Sequence, residues 1–210
     1  MKCDFGLLIK KMCHRVPTVR QRVKLFEAIR DIPYAVNIGD EHKDASCWSK
    51  SRALCAQLER YGMNARLICC RVNWESMRLP EYIQSLVPKK GTQHWYVEVL
   101  IPETKKWVKV DPTWDRGLKN AGFPVAEWDG LTSTGLALKP IQHFSPEKSA
   151  RLIQQRDKMP EGALSWFDEK QGESYRRLNA WIESQRRLRA NETSSRPLRQ
   201  RSWVARGAHA

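Results

Sequence analysis

The sequence predicts an α+β protein in which N-terminal helices pack on an antiparallel sheet and further helices follow at the C-terminal end. Three observations carry this. Apolar residues recur at helical spacing in 18–31 and again beyond residue 47. Two runs, HWYVEVLI at 94–101 and WVKV at 107–110, alternate apolar and polar residues, and the five residues PETKK between them suit an antiparallel hairpin. From Ser145 the helical spacing returns, after a stretch rich in glycine and proline.

Taken in order, TVRQRVKLFEAIRD places Val19, Val23, Phe26 and Ile29 on one face, with arginine and lysine expected on the other. Pro17 and Pro33 bracket this helix. IPYAV at 32–36 reads as extended, and a polar loop then ends at Ser46, a residue suited to cap a helix. The second helix starts at Cys47, carries Ala53, Leu54, Ala56 and Leu58 inward, and stops at Tyr61-Gly62. ARLICCRVNW at 65–74 is apolar through its middle, as a central strand covered on both faces would be. Residues 75–92 read as an inserted loop or short helix, and 116–146 as a long covering loop. Ser145, Pro146 and Glu147 open a helix over 145–159. Residues 162–190 read as one or two helices with Trp166, Phe167, Tyr175, Leu178, Trp181 and Ile182 as the apolar stripe.

The composition, 41% hydrophobic and 29% charged, is that of an ordinary globular chain. No apolar run is long enough for a membrane span, and the start lacks a signal-peptide core, so a cytoplasmic protein with no membrane contact is expected. The net charge of +14 is uneven, with +6 carried by the last 26 residues, 185–210. Such a tail predicts weak, salt-sensitive contact with nucleic acid, or simply a solvated segment. The six cysteines all fall in the first third without C-x-x-C spacing, which points to reduced thiols and no metal site.

Three residues stand out by type and position. Cys47 opens a helix, where unsatisfied N–H groups favour an anion and hence the reactive thiolate. His94 opens one strand of the hairpin and Asp111 closes the other, so the turn brings both to the same end. A thiol nucleophile, a base and a carboxylate that orients the base make up the set needed to cleave or transfer an acyl group. The backbone N–H of Cys47 would serve as one oxyanion donor, and Asn37 and His42 are upstream candidates for a second. Trp48, Trp95 and Trp114 flank the triad as oxyanion or cleft candidates, although tryptophans in such places, Trp107 included, most simply belong to the core. Cys55, Cys69 and Cys70 read as packing residues, and Asp111-Pro112-Thr113 is also what a strand-ending turn looks like.

The ordered set Cys47-Trp48, Tyr61-Gly62-Met63, His94-Trp95-Tyr96-Val97-Glu98-Val99 and Trp107-Val108-Lys109-Val110-Asp111-Pro112-Thr113 resembles the transglutaminase-like superfamily, relatives of papain-type cysteine proteases. The intervals of 47 residues from Cys47 to His94 and 17 from His94 to Asp111 fit that pattern. The resemblance covers about Val19 to Trp114. It leaves 115–210 unexplained; joined to the helical and tail readings above, it gives a transglutaminase-like, papain-like catalytic core over 1–144, a C-terminal helical extension over 145–190 and a basic tail, expected to be disordered, over 191–210. It also implies a Cys47–His94–Asp111 triad acting on a peptide or amide substrate by hydrolysis or acyl transfer, with no cofactor. Crosslinking members use calcium, but no D-x-[DN]-x-[DN]-G loop is present here. Two positions depart from the family: Ser46 replaces the usual glycine, and the tryptophan after His94 comes one place early. A second function class therefore stays open, a non-catalytic module of this fold with its basic tail on nucleic acid.

Overall fold

The structure is a computed structural model that describes residues 16–37, 44–77, 79–85, 87, 91–158 and 169–194. Helices α1 (Val19–Arg30) and α2 (Cys47–Arg60) precede strand β1 (Ala65–Val72). A short helix α3 (Glu81–Gln84) leads to the hairpin β2 (Thr92–Ile101) and β3 (Lys106–Val110). After β4 (Pro140–His143) come α4 (Pro146–Asp157) and α5 (Glu169–Ser194). The four strands form one antiparallel sheet in the order β3-β2-β1-β4. This is the α+β arrangement expected, with the helices on the faces of an antiparallel sheet.

The strand period of two sorts side chains into different cores. Leu54, Leu58, Val97, Val99, Val108 and Val110 join Phe26 and Ile29 beneath α1 and α2. Ile68, Cys70, Val72 and Tyr96 join Trp74, Trp114, Phe123 and the α5 residues Leu178 and Ile182. Cys69 packs instead with Trp48, Trp95 and Phe144. Adjacent Cys69 and Cys70 thus serve different clusters, and β1 is covered on both faces as its apolar run requires.

Several elements differ from the sequence-based expectation. Arg22 and Arg30 lie on the supposed solvent face of α1 yet are fully buried. The segment that follows β3 folds back over the helix, so Arg30 donates to the Ala126 carbonyl (3.1 Å) and pairs with Glu127 (2.7 Å) and Asp31 (2.8 Å). Arg22 pairs with Glu103 in the hairpin turn. That turn has four residues, not five, because Lys105 takes a left-handed conformation (φ 56°) and lets Lys106 join β3. Residues 116–146 include a 3₁₀ segment, Arg116–Ala121, and strand β4, both too short to leave a periodic signal. Among the described residues helix α5 runs unbroken from Glu169 to Ser194, past the residue 190 expected as its limit, because no glycine or proline stands between Gly172 and Pro197. Trp166, Phe167 and the tail from residue 195 lie outside the described residues.

Candidate active site

Cys47 is the first residue of α2, and two side chains one turn further along fix that helix end. Lys50, buried, donates from Nζ to the carbonyls of Arg30 (2.8 Å) and Thr113 (2.9 Å). Burial pushes its pKa down to about 8, against the attraction of Asp115. Ser51 donates from Oγ to the Trp95 carbonyl (2.9 Å). One turn of α2 is thereby tied both to the segment after Asp111 and to the strand residue next to His94. Ser46 occupies the N-cap position, but its side chain does not cap the helix. Its hydroxyl donates to Asp44 (3.1 Å) instead, and its backbone N–H donates to the other oxygen of that carboxylate (3.2 Å). The expected serine cap is therefore not made, because Asp44 holds the hydroxyl.

The hairpin places His94 Nε2 2.7 Å from Asp111 Oδ2. Asp111 is saturated by short bonds from its own turn and from the covering segment. Its Oδ1 accepts from the Thr113 hydroxyl (2.6 Å) and N–H (3.1 Å), and its Oδ2 from the Ala137 N–H (2.7 Å). Asp-Pro-Thr is thus a strand-ending turn and a carboxylate holder at once. Burial opposes charge on both partners, yet the balance favours the ion pair. Burial alone would lower the His94 pKa, but Asp111 and a hydrogen bond with the Cys47 side chain raise it to about 10. Burial likewise would raise Asp111, and the His94 charge, Thr113 and Ala137 hold it below the usual carboxylate range.

Cys47, His94 and the three flanking tryptophans, Trp48, Trp95 and Trp114, line one cavity of about 330 Å³. Trp48 and Trp95 meet edge to face (4.8 Å between centroids), and Arg156 of α4 lies 4.5 Å from the Trp48 ring. Trp114 is stacked against Tyr34 (4.6 Å) and donates to the Ala137 carbonyl (3.1 Å), so it is both core and cleft wall. Asn37 lines the same cavity, and its side-chain oxygen is buried without a hydrogen-bond partner. The other upstream candidate, His42, lies outside the described residues. The remaining described thiols differ sharply in setting: Cys55, Cys69 and Cys70 are buried, and burial pushes each up to about 12. Among the described residues no group of three or more His, Cys, Asp and Glu side chains is gathered as a metal ion would need.

Sequence reasoning passed over four contributors: Asp44, Lys50, Tyr175 and Arg156. A lysine three residues after the cysteine is at least visible as a polar residue on the inward face of α2. Tyr175 and Arg156 come from helices whose docking no local pattern specifies.

A helix-opening cysteine thus stands beside a histidine–aspartate pair on an antiparallel hairpin. The Transglutaminase-like superfamily matches residues 27–112, a span that holds Cys47 and His94 and ends one residue after Asp111. The match covers less than half of the chain, and the α+β fold is consistent with a transglutaminase-like core. No curated protein and no solved structure matches it. No helix among the described residues is long and apolar enough to cross a membrane.

Proposed function

We propose that the protein is a cysteine-dependent enzyme acting on amide or peptide bonds, by hydrolysis or acyl transfer through a thioester on Cys47. The observation that carries it is the set Cys47–His94–Asp111, with the ring held at 2.7 Å by the carboxylate and the Cys47 thiol on the same cavity, near enough to help raise the ring's pKa. Asp111 occupies Nε2, so Nδ1 is the nitrogen left for the thiol. The Cys47 sulfur attacks the substrate carbonyl carbon while its proton rests on His94. The tetrahedral oxyanion is met by the Cys47 backbone N–H and by the Asn37 amide, once a half-turn of that amide presents its NH₂. The C–N bond then breaks, the amine leaves with the proton from His94, and an acyl thioester remains. Water or an amine next attacks the thioester, gives its proton to His94, and releases the acyl product as the C–S bond breaks. The aromatic wall of Tyr34, Trp74, Trp114 and Tyr175 suits a large apolar group near the scissile amide.

The test is thiol mapping with iodoacetamide at neutral pH, followed by turnover on a peptide and amide panel. Cys47 is expected to alkylate at least tenfold faster than Cys55, Cys69 and Cys70, and Cys47→Ala to abolish turnover. Equal labelling of the four thiols, or undiminished turnover by the alanine variant, would refute the proposal.

A further inference from the structure

Helix α5 lies beyond the residues that match the family, yet one of its faces grips the segment that leads to Asn37. Tyr175, Asn179, Ile182 and Arg186 are spaced three or four residues apart and so share that face. Asn179 pairs with the backbone of Val36 as a neighbouring strand would. Its Nδ2 donates to the Val36 carbonyl (2.8 Å), and its Oδ1 accepts from the Val36 N–H (3.0 Å). Arg186 grips the segment two residues earlier, donating to the Tyr34 carbonyl (3.0 Å) and to Asp115 (2.6 Å). Asp115 in turn accepts from the Tyr34 N–H (2.9 Å). Tyr34 and Val36 therefore have both their backbone polar groups bound by side chains. Val36 immediately precedes Asn37, whose own N–H reaches Asp44 (3.4 Å).

Extended backbone that joins no sheet has to find hydrogen-bond partners elsewhere, and a two-point amide clamp fixes both its position and its peptide plane. Misplacing an oxyanion donor by about 1 Å costs about 10²-fold in rate. We infer that Asn179 is a positioning residue for the acyl-transfer step: it holds Val36 so that the Asn37 side chain stays aimed at the carbonyl oxygen of a substrate on Cys47. The inference rests on the cysteine-enzyme reading above. It assigns α5 to the catalytic unit instead of to an appended helix.

Two probes separate this role from general loosening. p-Nitrophenyl acetate acylates a thiol through a tetrahedral oxyanion and releases p-nitrophenolate, whereas iodoacetamide alkylates by direct displacement and forms no oxyanion. In the full chain, Asn179→Ala is expected to lower the Cys47 acylation rate roughly 10- to 100-fold and to change the alkylation rate less than about twofold. Asn37→Ala is expected to do the same, and the double variant to lose no more than the worse single one. Should the alanine variant fold poorly, Asn179→Asp keeps the acceptor for the Val36 N–H, loses the donor to its carbonyl, and is read by the same ratio. An unchanged ratio of acylation to alkylation, or losses at 37 and 179 that multiply, would overturn the inference. Failure of the wild-type Cys47 to outpace the buried thiols toward iodoacetamide would instead sink the enzyme reading beneath it.

Discussion

Asp111 and Asp115 stand four residues apart after β3, both buried, and each accepts backbone N–H groups together with a basic side chain. The partners differ. Asp111 holds an imidazole whose pKa it moves to about 10 against the effect of burial, so its environment governs where a proton sits. Asp115 holds the Arg186 guanidinium, which burial would lower but which Asp115 and Glu183 raise, so it stays charged at every accessible pH. Two carboxylates of one short segment thus do different work. In the proposed reaction one sets up proton transfer toward Cys47, and the other bolts α5 to Tyr34.

Exchanging the charge at each position separates these tasks. Asp111→Asn is expected to lower Cys47 acylation by p-nitrophenyl acetate about 10³- to 10⁴-fold, because the ring loses its orientation and the stabilisation of its charged form. Asp115→Asn is expected to leave the rate per folded molecule within about tenfold, since the Asn179 clamp still holds Val36. It should instead destabilise the fold by about 1–3 kcal/mol in urea titration, because a part-buried guanidinium loses one of its two carboxylate partners and keeps Glu183. Similar rate losses at both positions would erase the distinction drawn here. A smaller effect sharpens it: joining Arg186→Met to Asp115→Asn should recover about 1–3 kcal/mol relative to the sum of the single losses. No recovery would mean that Arg186 acts through packing and not through the pair.

The sequence carried the first of these carboxylates better than the second. Cys47, His94 and Asp111 were legible because each sits at the end of an element, where residue type and element boundary are both visible. The hairpin that joins His94 to Asp111 is local, so its pairing follows from alternation and a short turn. Asp115 was legible only as the last letter of DPTWD, because its partner Arg186 is 71 residues away on a helix with no docking signal. Asn179 is hidden for the same reason: an asparagine in mid-helix reads as a solvated polar residue until the segment at 34–36 is laid beside it. Residue type argues for a surface place for Arg22, Arg30 and Lys50, but the structure gives Arg22 the Glu103 carboxylate, Arg30 the Ala126 carbonyl with Asp31 and Glu127, and Lys50 two backbone carbonyls.

The next effect concerns pH. His94 has a raised pKa, so its pairing contributes fully below about pH 6.5 and is lost as pH rises toward about 10. Asp111 is held low, so its contribution is present above about pH 4 and lost on acidification. Wild-type stability should therefore fall between pH 7 and 10 by at most about 1.4 kcal/mol per pH unit from this pair. Asp111→Asn should flatten that decline, and Asp115→Asn should not. Urea midpoints at half-unit intervals check it, and parallel curves for wild type and Asp111→Asn would show that the pair is not ionised as described.

Lys50 supplies the smallest effect and runs in the opposite direction. Its pKa is depressed to about 8 by burial, whereas the unfolded chain keeps its lysines near the ordinary value of about 10.4. Between those limits the unfolded state binds more protons, so this group makes the fold more stable as pH rises. It partly offsets the loss from His94 over the same range. Lys50→Met removes two hydrogen bonds to the Arg30 and Thr113 carbonyls and lowers overall stability, but the informative quantity is the slope. Above pH 8 the variant should lose stability more steeply than wild type, by up to about 1.2 kcal/mol per pH unit. The raised thiols of Cys55, Cys69 and Cys70 titrate in both proteins and cancel in the difference. An identical slope would show that Lys50 keeps its proton in the folded state throughout, held by the two carbonyls and by the attraction of Asp115.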